Sequence, residues 1–459
     1  MQWIGCDQRA PPRPGATSCD PADGPVGCHR VKSAAHGRAR AAPLTSHIAA
    51  ALLAAGCHRG SPPPRASRAA SPIVASAPPA NPSAARALEL PPPFHTPSAR
   101  NPAELIDRPS GTAPTVGAGL RVTLWAKGFR YARALALAPD GAVYVSEADA
   151  GQVTVLRDAD HDGFADRERE DFARGLDLPF GLAVHPAGWL YVGCTGRLVR
   201  FRLAAGGHAA VGALEPLFAL PGRGYRQHWT RSVALSADGA RVFVGVGSET
   251  NVDVEPDPRR AAVTVAASDG SGSRVLAGGL RNPIGLAVHP DTGALFAVVN
   301  ERDELGDDLA PDYLTAVRDG AFYGWPYAYW GAHEDPRRAG ERPDLVAITA
   351  VPDLSLGAHT APVALAFPVR GVVGVPRGDA LVSLHGSWNR AVRVGYKVVR
   401  VRFRDGRPTG VIDDWMTGFV APSGDAWGRP AGLLELADGS MLVMDDDGQA
   451  IWRVSGAPP

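Results

Sequence analysis

Imidazole, guanidinium, amide and carboxylate side chains gather at a few short stretches of this 459-residue chain. In YRQHWTRSVAL, His228 stands beside Trp229 and Arg231, just before a run of strand-forming residues. An imidazole titrates near neutrality and can act as a general base, although a lone histidine is also a common structural residue. His185 and His289 occupy a recurring Val-His-Pro position, and His228 stands apart because it does not. GGLRNPIGLAVHP supplies Arg281 and Asn282 ahead of another strand. LVSLHGSWNRAVRVGYKVVRV breaks its apolar–polar alternation with His385, Trp388, Asn389 and Arg390.

Acidic residues form two groups. NERDELGDDLAPDYL crowds Glu301, Asp303, Asp307 and Asp308 into one loop, and carboxylates packed this way either bind a cation or lie in water. DADHDGFADRERE places Asp158, Asp160 and Asp162 at alternate positions, followed by Gly163 and Asp166. That matches the front half of an oxygen-rich calcium loop, with the glycine supplying the sharp turn. Arg169 stands where an EF-hand places its glutamate, so a structural calcium loop and a solvated acidic turn are both open readings. FYGWPYAYWG adds aromatic rings around Trp325 and Pro326, readable as a ligand platform or as packing between sheets. Guanidinium forks, amides and carboxylates around one axis suit a planar, anionic, heteroatom-rich ligand together with a hard cation.

The elements that must position these groups read as strands. ALALAPDGAVYVSEA, GLAVHPAGWLYVGCTGRLVRF, SVALSADGARVFVGVGS and GLAVHPDTGALFAVVNE share one grammar with VALAFP…GDALVSLHGS and GLLELADGSMLVMDDDGQAIWRVS. Each is a short apolar strand, an Asp-Gly or Pro-Gly type turn, and a second strand rich in Val, Tyr, Phe and Leu. A period of about 40 to 70 residues with several strands per unit predicts an all-β fold, a six-bladed β-propeller, with the largest insertions between the fourth and fifth units. The polar clusters all fall in loops near strand ends, where the blades of a propeller converge on its channel.

Composition divides the chain. Residues 1–57 read as a leader, 58–117 as a Pro/Ala/Ser-rich disordered linker, and 118–456 as the propeller. In RARAAPLTSHIAAALLAAGCHRGSPPP, basic residues precede a short apolar run that ends at Gly56 and Cys57, as in a bacterial lipoprotein signal. The run is too short to span a bilayer. An exported, periplasmic or outer-surface protein anchored only through a lipid on Cys57 is therefore expected, with the natural start near Val31. Basic and acidic residues balance at 47 each, so no charge excess points to nucleic acid. Of five cysteines only Cys194 lies in the propeller, and Cys-x-x-Cys is absent. A disulfide framework, a zinc ribbon and a c-type haem site are not expected.

HWTRSVALSADG, GLRNPIGLA, ERDELGDD…YGWP and HGSWNR…GYKVVRVRF together resemble the pyrroloquinoline quinone (PQQ)-dependent sugar dehydrogenases of the glucose/sorbosone dehydrogenase family, over about Gly128 to Val454. The resemblance implies a six-bladed propeller with PQQ and Ca2+ at the channel mouth. It implies that His228 takes the hydroxyl proton of the sugar as hydride passes to the quinone, and that Arg281 and Asn282 hold the quinone oxygens. By motif position Arg133, His385 and Arg390 would grip the cofactor, and Asp303, Asp307 and Asp308 would lie by its calcium. Ile284 and Phe180 stand where glucose dehydrogenases and their relatives carry polar residues. That turns the expectation from glucose to a sorbosone- or pyranosone-type aldose or another polyol, with electrons passed to an external quinone or cytochrome. Two rivals are a calcium-dependent propeller lactonase or esterase, which would not need Arg133, Arg281 and Arg390, and a non-catalytic propeller that binds carbohydrate or protein.

Overall fold

The computed structural model describes residues 88–222 and 228–457. The expected architecture is present: six antiparallel four-stranded sheets follow one another along the chain. Their innermost strands are Ala132–Leu137, Leu182–His185, Arg231–Leu235, Pro283–Val288, Pro362–Ala366 and Pro430–Glu435. Within each sheet the chain steps outward by antiparallel hairpins. The turn chemistry explains the first hairpin in several blades. Asp140, Asp238 and Asp438 each accept, through Oδ1, the backbone N–H two residues on, at 3.1, 3.0 and 2.9 Å. The glycine between donor and acceptor supplies the positive φ such a turn requires. In the second and fourth blades the Val-His-Pro histidine does this work instead: Nδ1 of His185 and of His289 accepts from Ala187 and Asp291.

The Gly-Leu-Ala-Val repeat marks where neighbouring blades touch. A Cβ on Gly181 would lie 2.4 Å from the backbone N of Val233, and one on Gly285 would lie 2.8 Å from that of Leu365. These distances are below any real carbon contact, so only glycine lets the inner strands converge. What remains of the channel between them is a cavity of roughly 100 Å³, lined by Arg133 on one side and by Phe180, Ile284 and Val363 on the others.

The ring closes with a strand from the far end of the chain. Leu120–Lys127 pairs with Ala450–Gly456, in register Val122 with Val454, and completes the sixth blade. The fourth blade carries the large insertion, between its strands Pro311–Ala316 and Leu354–Ala358. It holds a small hairpin and the single-turn helix Pro343–Ile348. The aromatic run falls here, and its packing reading holds. Tyr323, Tyr329 and Trp330 are buried in one cluster with Phe243 and Val263 of the third blade.

The leader, its candidate lipid site Cys57 and the N-terminal part of the linker lie outside the described residues. The rest of that linker, from Leu88 to Gly117, lies against the propeller. Asn101 is hydrogen-bonded to Trp388 and Ala391, and Thr115–Val116 adds a short strand to the edge of the fifth blade. Composition alone does not reveal such contacts, because their partners are nearly 300 residues away. Among the described residues no helix is long and apolar enough to cross a membrane.

Candidate functional site

His228 sits at the lead-in to the innermost strand of the third blade, with φ of 49°. Two neighbours hold it there. Arg231, fully buried, donates through Nη1 to the carbonyls of His228 and Thr230 at 2.9 and 2.7 Å, and so stitches the loop rather than facing a ligand. Nδ1 of His228 lies 2.9 Å from the carbonyl of Ser248. A carbonyl only accepts, so the proton is on Nδ1 and the lone pair on Nε2. Burial first, and the Arg281 guanidinium next, push the imidazole well below its ordinary pKa. It is therefore a neutral base at physiological pH.

Ser248 also ties this histidine to the start of the fourth blade, because its own N–H donates to the Arg281 carbonyl at 2.8 Å. Gly247 lets the two elements close. A Cβ there would stand 2.3 Å from Oδ1 of Asn282 and 2.6 Å from Cβ of His228. Arg281 donates through Nη1 to the Glu301 carbonyl at 2.7 Å, and through Nη2 to Asn251 and to Oδ2 of Asp303, both at 3.0 Å. Nε of Arg281 and Oδ1 of Asn282 are buried without a hydrogen-bond partner. Polar atoms left this way are costly unless a ligand completes them.

The network continues into the fifth blade. Asn389 donates to Oδ1 of Asp303 at 2.6 Å and lies 2.9 Å from Nδ1 of His359, whose Nε2 lies 2.9 Å from the Gly306 carbonyl. The loop that interrupts the fifth-blade pattern is thus joined to the Arg281 network through Asp303, and it meets the acidic loop again at Asp307 and Asp308.

A second cluster lies where the first, fifth and sixth blades meet. Arg133 donates through Nε to Oδ2 of Asp446 at 2.6 Å, and Nε2 of His385 lies 2.8 Å from Oδ1 of the same carboxylate. All three side chains are buried. Burial alone would raise the Asp446 carboxyl, but His385 and Arg133 outweigh it and hold the group well below its usual range. His385 itself is lowered, by burial first and then by Arg429. His385, Asp446 and Asp447 are close enough to share a cation. Arg133 occupies Asp446, however, and Arg429 approaches Asp447 at 3.6 Å, so guanidinium supplies the positive charge here.

Arg390 is placed elsewhere. It donates to the Asp307 carbonyl and to Oδ1 of Asp308, and with Asp308, Thr360 and Lys397 it lines a cavity of about 640 Å³ between the fourth and fifth blades. Asp303, Asp307 and Asp308 do not form a three-carboxylate cluster; Asp303 belongs to the Arg281 network and the other two are engaged by Arg390 and Ala391. In the other acidic loop, Asp158, Asp160 and Asp162 do converge to within reach of one ion. Gly163, at φ of 89°, donates back to Asp158. Asp166 accepts from Ala159 and closes that loop from outside the trio.

Ser248, Asn251, His359 and Asp446 carry this geometry and none stands out in the sequence, since small polar residues and loop histidines are common. Asp446 had a signal: DDDG ends a strand at the same place in its repeat as the other polar clusters.

A family profile described as TrAA12-like matches residues 114–312 and 346–452. Over 286 residues the chain is 27% identical to the PQQ-dependent pyranose dehydrogenase of Coprinopsis cinerea, a match covering 48% of this chain and 38% of that protein. An uncharacterized protein of Borreliella burgdorferi is 27% identical over 241 residues, covering 51% of this chain and 62% of that one. The chain thus spans less than two thirds of the length of either relative. In fold it is similar to the holo PQQ domain of the Coprinopsis pyranose dehydrogenase, with a TM-score of 0.64 at 24% identity, covering 76% of this chain and 98% of that one. It is likewise similar to the calcium structure of a Trichoderma reesei family AA12 enzyme, with a TM-score of 0.64 at 20% identity, covering 75% and 97%.

Proposed function

The chain belongs to the TrAA12-like family, and from that premise we propose that it is a PQQ-dependent sugar dehydrogenase. The observation that carries the reading is the network in which Ser248 and Gly247 hold a neutral buried His228 next to Arg281 and Asn282, with Nε of Arg281 and Oδ1 of Asn282 buried without a partner. Bound there, the quinone would supply the two-electron oxidant for a sugar hydroxyl.

The residues of the chain supply the rest. His228, with its proton fixed on Nδ1, receives the substrate's hydroxyl proton at Nε2. Arg281 and the amide N–H group of Asn282 would donate to the cofactor's oxygens, with Arg281 stabilising negative charge that develops on them, and Oδ1 of Asn282 is left to accept from a hydroxyl or to meet a cation. Arg133, oriented by Asp446 beside His385, presents a guanidinium to the channel, a group that suits a carboxylate. Arg390 lies on the far side of the same loop and acts by tying the acidic loop in place. Of the three aspartates of that loop, Asp303 has both oxygens held by Arg281 and Asn389, so a calcium ion beside the cofactor would draw on Asp307, whose Oδ1 is buried without a partner.

Phe180 and Ile284 line the channel cavity with apolar surface, and the reading is a sorbosone- or pyranosone-type aldose or another polyol rather than glucose. An external quinone or cytochrome would take the electrons. Export and lipid anchoring at Cys57 complete the reading.

The test uses the full-length protein with PQQ and Ca2+. Cofactor binding is followed by fluorescence, and dye reduction is followed across aldoses, pyranosone-type sugars and polyols. Cofactor-dependent turnover that falls by about 10²-fold or more in His228→Ala, with PQQ affinity retained, is the expected result. Absence of PQQ binding by the wild type overturns it.

A further inference from the structure

Residues 94–101 cross the two loops that meet at Asp303 and Asn389. On the acidic loop, Phe94 donates its N–H to the Leu305 carbonyl at 2.8 Å. Oγ1 of Thr96 accepts from the Asp307 N–H at 2.8 Å, and Oγ of Ser98 accepts from the Gly306 N–H at 3.2 Å. The fit is close: a Cβ on Gly306, at φ of 106°, would lie 2.6 Å from the Thr96 carbonyl. On the fifth-blade loop, Asn101 donates its N–H to the Trp388 carbonyl at 2.8 Å and its Nδ2 to the Ala391 carbonyl at 2.9 Å. Arg393 of the same loop returns two bonds to Asn101, at 3.1 Å to its carbonyl and 3.0 Å to Oδ1. Arg100 lies over the Trp388 ring at 5.8 Å.

We propose that this segment is a positioning strap, in which Thr96 and Asn101 hold the 304–307 and 388–393 loops at the separation that lets Asp303 bridge Arg281 and Asn389, and thereby set the affinity of the cofactor site. The affinity part rests on the proposed function; the positioning part rests on the contacts alone. The reasoning is that of a supporting shell. Asp303 is the carboxylate that Arg281 and Asn389 share, and the contacts of Arg390 and Ala391 with Asp308 and Asp307 join the same two loops beside it. The reach of Asp303 depends on two loops whose backbone groups are paired by the strap more than by any sheet. A misplacement of about 1 Å in such a shell costs far more in ligand affinity than in fold stability.

The test compares full-length wild type with Thr96→Val, Thr96→Ser and Asn101→Ala by amide hydrogen exchange, thermal melting without cofactor, and PQQ affinity in Ca2+. Thr96→Val and Asn101→Ala should speed exchange in residues 304–308 and 386–393 alone, leave the melting temperature near that of wild type, and weaken PQQ binding by about tenfold or more. Thr96→Ser, which keeps the hydroxyl acceptor, should match wild type. Unchanged exchange in both loops overturns the strap. So does faster exchange across all blades, which would make the effect one of global stability. Faster loop exchange with unchanged PQQ affinity overturns the link to the site. If wild type binds no PQQ, the cofactor reading fails with that link, and the exchange result alone decides the positioning role.

Discussion

Glu301 shows how a buried carboxyl can sit beside a charged network without being an ion. Its carbonyl holds Arg281, its Oε2 accepts the Arg302 N–H at 2.9 Å, and its Oε1 has no partner. Burial pushes the carboxyl up to about 8 from an ordinary 4.5, so the native protein carries it neutral at pH 7. In the unfolded chain it is ionised from about pH 4.5 upward, so the native state binds the extra proton. Stability must therefore fall as pH rises from the unfolded pKa through the folded one. Glu301→Gln removes that slope while keeping the neutral shape. Melting temperatures taken across the interval should show the variant drawing ahead of wild type as pH rises, with the gap levelling off above about pH 8. A gap that stays constant with pH would mean that Glu301 is ionised in the native protein.

At the scale of elements, the legible and the hidden divide by distance along the chain. Asp-Gly turns and Val-rich strands are local, so the hairpins and the count of six blades could be read from the residues themselves. His228, Arg281 and Asn282 stood out as candidates because each lies just ahead of a repeat strand, His228 outside the recurring Val-His-Pro position, and the structure brings the three together. His359 was not legible, because what distinguishes it is its neighbours across blades, and Asp446 carried only the signal of its place at a strand end. Arg390 was read as a cofactor ligand by motif position, and its place beside Asp308 depends on which way one loop turns. The loop from Asp158 to Asp166 remains a local question with a local answer. Three of its carboxylates converge and like charges this close repel, so a bound cation should stabilise the element. Calcium should raise the melting temperature of the wild type, and Asp160→Asn with Asp162→Asn should abolish that rise while leaving PQQ affinity intact. No calcium effect in the wild type, or one that survives the double substitution, would make this stretch a solvated turn.

The propeller is a ring, and a ring is only as cooperative as its closure. Here that closure joins the first and last strands of the propeller, Leu120–Lys127 against Ala450–Gly456. Trp125 of the closing strand is buried, and Val122 and Leu124 pack against the core shared with Trp427 and Trp452. Full burial of an apolar side chain contributes about 1.5–3 kcal/mol, and the half-buried Val122 and Leu124 contribute less; loss of the strand would also expose an unpaired strand edge. A chain beginning at residue 88 keeps this strand and the strap, and its melting temperature should equal that of the full-length protein. A chain beginning at residue 128 loses both. Its melting temperature should fall by on the order of 10 °C or its transition should broaden, and it should associate through the exposed edge of the sixth blade. The channel-mouth cluster of Arg133, His385 and Asp446 spans the first, fifth and sixth blades, so an opened ring should also release it. Calorimetry and sedimentation of the two truncations decide the matter, and a full-height, sharp transition in the shorter one would show that the ring holds without its closing strand.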